Sequence, residues 1–388
     1  MNARNSDIVE LARVDRRRLI DLPRLQRAIQ AAGLDAVVAS SSPNVTYTGG
    51  SFIDFPPLVT FVVTTADGRQ GIVINEGDAA YFREYSWIED IRAFRYATVT
   101  VASNLEAVRM VAELLRELGA VETIGFERAH LAALYVEALQ SELPAATLSD
   151  AGDLFEDVRV IKTEAEIELL TYAARATDKA IQTGFALARP GDTEQQLAAT
   201  IQSAAVRLGA DGLDHADVHA GAHATVVHAW PMAIPLVEGD VIHVDFGAIF
   251  GGYRTDIARN ATVHAATPKH REFYRPLWVA RERMLEAIKP GLTAGELFSI
   301  GQAAIEDEGL EYPWGTLGHS IGLSIHEGFE IVRGSERVLE AKMILNIEPS
   351  HIEPGHGRYH LEDALCVTEK GARLLSDFTR GDELAVIH

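Results

Sequence analysis

The chain has 388 residues, 47% of them hydrophobic, a net charge of −21 and one cysteine, Cys366. That length favours two domains with substantial cores, and the charge disfavours nucleic acid and anionic membrane surfaces as partners, since both need cationic patches. One cysteine excludes an internal disulfide, no apolar run approaches the ~20 residues of a membrane span, and the first residues lack a secretory apolar segment, so the expected location is the cytoplasm.

Residues 23–32 carry apolar side chains at helical spacing and stop at Gly33, while 36–40 and 58–65 are short β-branched runs bounded by turn residues. Residues 107–119 and 130–139 read as helices. This alternation predicts a small α/β domain over residues 1–157. It holds no cluster of catalytic residue types and reads as a scaffold.

A second domain, residues 158–388, opens on Thr163 and Glu166, a capping-box pair in which hydroxyl and carboxylate satisfy the first free amides of a helix. Ile167, Leu170, Ala174 and Ile181 continue as the apolar stripe of a long helix. The same cap pattern recurs at Thr193 with Gln196, and at Thr293 with Glu296 after the Pro290-Gly291 break. Strand-like segments follow at 241–248, 253–261, 343–348 and 359–368. No repeat with a period of roughly 20–50 residues is evident.

Five dispersed residues carry the chemistry. Asp245 and Asp256 stand 11 positions apart in VIHVDFGAIFGGYRTDIAR; His319 lies in GHSIGLSIHEG, Glu348 in ILNIEPS and Glu362 in HLEDALCVTEKG. Strand alternation puts Asp245 on one face with His243 and Gly247, and a hairpin at Gly251-Gly252 would set Gly247 opposite Asp256. The missing side chain there would leave space for ions. Apolar neighbours such as Val244, Phe246, Ile347 and Leu361 argue against solvated carboxylates. Four carboxylates brought together repel one another, and two divalent cations would cancel that charge. Oxygen donors with one imidazole suit Mn²⁺ first, with Co²⁺, Zn²⁺ and Fe²⁺ as alternatives. The set points to a dinuclear metallohydrolase acting on an amide or similar C–N bond. By contrast, His215, His219 and His223 share an i, i+4 spacing in a stretch that does not look helical, and read as ordinary histidines.

In order and spacing these motifs resemble the metallopeptidase family that includes methionine aminopeptidase, aminopeptidase P, prolidase and creatinase, over residues 158–388 and more weakly before them. The resemblance implies an α/β (α+β) chain: a small N-terminal creatinase-like α/β domain, then a pita-bread catalytic domain with a curved, mostly antiparallel sheet flanked by helices. It implies Asp245, Asp256, His319, Glu348 and Glu362 as ligands of two divalent ions, with Glu348 also the general base. His228, 17 positions before Asp245, and His326, 7 after His319, match family positions that bind substrate and stabilise the tetrahedral intermediate. Proline-directed relatives usually place arginine two residues before the last glutamate ligand. Here His360 stands there, with Arg358 two further back, and Phe329 follows the His326-Glu327-Gly328 run near which proline peptidases commonly carry proline. Phe329, Arg358 and His360 therefore join the expected substrate contacts. The implied reaction is hydrolysis of a small peptide or amide, most like an Xaa-Pro dipeptidase or aminopeptidase. The alternatives are a non-peptide C–N hydrolase of the creatinase-like branch and a binding module without catalysis. A homodimer is the implied assembly, with Phe52, Asp54 and Phe55 reaching the partner's pocket.

Overall fold

A computed structural model describes residues 15–51, 58–96, 101–376 and 383–388. Phe52, Asp54 and Phe55 lie outside the described residues. The chain divides into two compact units with a boundary between Arg159 and Val160.

The first unit is built on one six-stranded sheet. Its strands are β1 (Ala36–Ala39), β2 (Phe61–Thr65), β3 (Gln70–Asn75), β4 (Ile91–Phe94), β5 (Thr123–Phe126) and β6 (Thr147–Asp150), ordered β4-β3-β2-β1-β5-β6. β1 pairs antiparallel with β2 and parallel with β5. β1 and β2 are apolar-rich and buried along their whole length, as central strands covered on both faces should be. Val38, Phe61, Val63 and Ile124 pack with Val108, Val111 and Leu115 of helix α2 (Val101–Glu117). Helix α1 (Leu22–Ala31) ends where Gly33 takes φ 68°, a conformation glycine adopts without strain. The helix expected at 130–139 forms three residues later, at Ala133–Glu142.

The second unit has two five-stranded sheets and a hairpin, flanked by long helices. One sheet runs β18-β10-β8-β7, with β9 also on β8; the other runs β12-β11-β13-β16-β17. The strands are β7 (Gly212–Ala220), β8 (Val241–Phe250), β9 (Tyr253–Arg254), β10 (Ile257–Val263), β11 (Thr316–Ser320), β12 (Glu330–Val332), β13 (Ile344–Ile347), β14 (Ser350–Glu353), β15 (Gly357–His360), β16 (Asp363–Thr368), β17 (Gly371–Leu374) and β18 (Ala385–Ile387). Pairing is antiparallel except between β10 and β18. The mostly antiparallel, helix-flanked architecture is the one expected. Among the described residues no helix is long and apolar enough to cross a membrane.

The helices come in two pairs, α3 (Glu164–Leu187) with α4 (Glu194–Arg207), and α5 (Pro268–Ala287) with α6 (Ala294–Asp307). All three capping boxes read from the sequence form. A fourth, Thr267 with His270, starts α5. The turns between the paired helices are built alike. Gly191 and Gly291 take φ 93° and 94°, and their amides donate to Leu236 and Leu339 at 2.8 and 2.9 Å. Thr193 then bridges to Pro235 and Thr293 to Val338. The matching sequence, Pro-Gly-x-Thr at 190–193 and again at 290–293, is an internal repeat too widely spaced for a short-period search.

Candidate metal centre

β8 carries Asp245 into the interior. The strand is buried from end to end, and its partners β7 and β10 set Asp217 and Ala258 opposite Asp245. The segment expected to run as one strand over 253–261 breaks at Thr255-Asp256. There Ala248 N donates to Thr255 Oγ1 at 3.0 Å, a side chain entering the ladder, and Asp256 falls across from Gly247. The 359–368 strand also breaks. β15 pairs with β14 and β16 with β13, leaving Leu361 and Glu362 between them. Glu362 N instead donates to Ala258 O at 3.2 Å, and Asn346 Nδ2 to Asp256 O at 2.7 Å, so the two sheets are tied together at the site. His319 lies within β11, and Glu348 follows β13 directly. Asp256, Glu348 and Glu362 thus sit beside strand ends, and at two of them, the Asp256 carbonyl and the Glu362 amide, the backbone makes such a cross-tie.

The five predicted residues converge, and two further histidines join them. His215 Nε2 is 3.2 Å from Asp245 Oδ1 and 3.2 Å from Asp256 Oδ1. His319 Nε2 is 3.6 Å from Asp256 Oδ2 and 3.4 Å from Glu362 Oε1. His360 Nε2 is 3.7 Å from both Glu348 Oε2 and Glu362 Oε2. Three triads of two carboxylates and one imidazole result, linked through Asp256 and Glu362, and a fourth group joins His243 and His360 to Asp245. The expected room above Gly247 is taken. A Cβ there would come within 2.5 Å of the His215 ring, so the glycine makes space for an imidazole, not for an ion. His215 is the residue that sequence reasoning set aside. Its signal is the antiparallel register that puts it opposite Gly247, two strands' worth of information that no local motif contains. Asn346, which donates to Glu362 Oε1 at 2.8 Å, was also missed.

The other predicted residues divide by position. His326 is half exposed and stacks on His319, ring centroids 3.9 Å apart and 12° from parallel, with Nδ1 3.2 Å from Glu330. His228 is exposed, holds φ 58°, and acts electrostatically on Asp217, the β7 residue opposite Asp245. Arg358 is half buried, and its Nη1 has no hydrogen-bond partner. The remaining two residues expected to contact substrate are His360 and Phe329. His360 is 1% exposed and sits inside the carboxylate cluster, not at its rim. Phe329 packs against the unit's hydrophobic core beneath the Arg337 guanidinium. His243 Nε2 lies 3.4 Å from His360 Nδ1, and the two share a group with Asp245.

In the electrostatics of the site, carboxylates and imidazoles bias one another's protonation against burial. Burial alone would raise the Asp245 carboxyl, but His215 and His360 hold it well below the usual range. Burial, and then the Asp256 charge, push Glu362 up to about 7. Burial opposes charge on His215, yet Asp256 and Asp245 hold it well above the ordinary imidazole value. His319 is likewise raised against burial by Asp256 and Glu362. His360 rises to about 9, burial and Arg358 opposing, Asp245 and Glu348 prevailing. Asp256 Oδ1, His319 Nε2 and His360 Nε2 are buried with no hydrogen-bond partner, although each faces the cluster. Buried polar atoms are normally satisfied. Oxygen and nitrogen donors left open around one point fit divalent cations.

Residues 168–369 match the metallopeptidase family M24, and residues 22–161 match the creatinase/prolidase N-terminal domain. An Xaa-Pro dipeptidase of Pyrococcus furiosus is 30% identical over 333 residues, spanning 85% of this chain and 93% of its own. Among solved structures, an Xaa-Pro dipeptidase from Bacillus anthracis is 26% identical with a TM-score of 0.81, over 94% of this chain and 98% of that one. The dipeptidase PepE of Mycobacterium ulcerans is 28% identical with a TM-score of 0.80, over 98% and 99%.

Proposed function

This chain belongs to metallopeptidase family M24, and from that premise we propose that it hydrolyses small peptides, Xaa-Pro dipeptides foremost, with two divalent cations of the Mn²⁺, Co²⁺, Zn²⁺ and Fe²⁺ class. The observation that carries this reading is the meeting of Asp245, Asp256, His319, Glu348 and Glu362, from five separate segments, in linked triads whose open donor atoms face one another. These residues would hold the ions, which when bound supply Lewis-acid polarisation and a lowered water pKa. The side chain of Glu348 is 18% exposed, against 1% for each of its two neighbours, His360 and Glu362. That placement suits a general base, which must meet water and pass on its proton. His326, exposed and held in plane by His319, offers an N–H to the oxyanion that develops on the attacked carbonyl. His228, exposed and acting electrostatically on Asp217, would hold substrate.

The arginine expected two positions before Glu362 is replaced by His360, so another cation must take the carboxylate of a dipeptide. Arg358 supplies it: Nη1 lacks a protein partner, and a guanidinium fork matches a carboxylate. The relatives named Xaa-Pro dipeptidase support the same substrate class. We place the enzyme in the cytoplasm as a homodimer, the commonest closed assembly; light scattering tests the assembly.

A substrate panel tests the function: Xaa-Pro dipeptides, longer peptides with proline second, non-prolyl dipeptides, and creatine-like amides, each given to the metal-loaded enzyme. Xaa-Pro dipeptides should turn over best, with Arg358→Met raising KM for them at least ~10-fold, the loss of a charged contact worth about 1.5–3 kcal/mol. Turnover of creatine-like amides alone would overturn the peptidase reading.

A further inference from the structure

We propose that the centre is held by three imidazoles, His215 and His360 binding ions directly beside His319; this rests on the metal-centre reading above. Donor atoms that share one ion at about 2.1 Å lie roughly 3.0–3.4 Å apart. His215 Nε2 meets that spacing to both Asp245 and Asp256, and His360 Nε2 lies just outside it to both Glu348 and Glu362. The triads of His215 and His360 are therefore built like that of His319.

The second nitrogen of each ring decides which way the lone pair points. His215 Nδ1 is 3.2 Å from Asp214 Oδ2, and Asp214 is itself ion-paired to Arg254. A carboxylate so placed keeps the hydrogen on Nδ1 and leaves Nε2 free to ligate, the usual outer support of a metal-bound histidine. His319 is oriented in the same sense, Nδ1 3.2 Å from the Ser320 carbonyl. His360 Nδ1 faces His243 Nε2 at 3.4 Å and Asp245 Oδ2 at 3.5 Å, while its Nε2 is buried without a partner. Gly247 adds an independent constraint, since any side chain there would collide with the His215 ring. An arginine at position 360 could donate hydrogen bonds but has no lone pair to offer an ion. Histidine converts that position from a donor into a ligand. Two added nitrogens move the centre's preference from Mn²⁺ toward Zn²⁺, Co²⁺ and Fe²⁺.

The test is X-ray absorption on the full chain, stripped of metal and loaded with Zn²⁺ alone. Imidazole scattering should correspond to three histidines for two ions. His215→Gln and His360→Gln should each remove one and weaken Zn²⁺ binding, read by calorimetry, by more than the ~10–100-fold that loss of an outer support costs. Circular dichroism confirms that the variants fold, and the count on the unaltered protein needs no variant. Two ions with one imidazole would overturn this inference and leave the metal centre standing. Failure to bind Zn²⁺ would overturn the metal-centre reading, and this inference with it.

Discussion

Without ions, Asp245, Asp256, Glu348 and Glu362 crowd negative charge into a buried space, and the three neighbouring imidazoles answer by holding protons. The upward shifts of His215, His319 and His360, and of Glu362 to about 7, all express this balance. Ions and protons therefore compete for the same atoms. Zn²⁺ binding near neutral pH should release protons, and affinity should climb with pH through about 9, where His360 becomes free. Calorimetry in two buffers of different ionisation enthalpy reads the release; identical heats would refute it. Removing Asp256, which links two triads, should abolish both metal binding and activity in Asp256→Ala. His326→Ala should keep its metal but lose about 10²–10³ in kcat, the scale of one oxyanion donor. Metal analysis beside kinetics separates the two, and loss of metal from His326→Ala would undo the division of roles. Asp245, Asp256, His319, Glu348 and Glu362 were legible in the sequence because each carries its own local motif. His215 was not, because only the pairing of β7 with β8 brings it over Gly247.

The helix starts were legible for a different reason: a cap is a contact between residues three apart, so its sequence pattern and its geometry coincide. The strand breaks at Thr255 and Glu362 were not, since their hydrogen-bond partners, Ala248 and Ala258, belong to other strands. One cap has a thermodynamic signature. Glu166 closes the box on Thr163 N, accepts from Tyr253 OH at 2.9 Å, and is fully buried. Burial pushes its carboxyl from the ordinary 4.5 up to about 7, against the pull of Lys162. Between those values the unfolded chain has released its proton while the folded chain retains it, so stability falls as pH rises from 4.5 to 7. At about 1.4 kcal/mol per unit the effect is of order 3 kcal/mol. Glutamine serves equally at this cap position. Glu166→Gln should therefore flatten that part of the pH dependence and be the more stable protein at pH 8. Urea unfolding at pH 5 and pH 8 checks it, and an unchanged slope in the variant would sink the assignment.

For the molecule as a whole, the two units have separate hydrophobic cores, one around Val38 and Val111, the other around Leu277, Leu297 and Leu345. Every residue of the metal centre belongs to the second. Ions that bind only the folded state stabilise it by mass action, about 4 kcal/mol when free metal stands at 1,000 times Kd. For a unit of this size that corresponds to roughly 10 °C in Tm, at about 2–4 °C per kcal/mol. Chelation should lower the transition of the unit spanning Val160–His388 by that amount and leave the other where it was. Differential scanning calorimetry with and without chelator measures both. An equal shift in the two would mean that the ions support the first unit as well, which no donor group in it can explain among the described residues. The asymmetry follows from how the site is made. Two sheets of one unit are tied at Ala258, Asp256 and Asn346, and ions bound between them would add ligand bonds across the same junction.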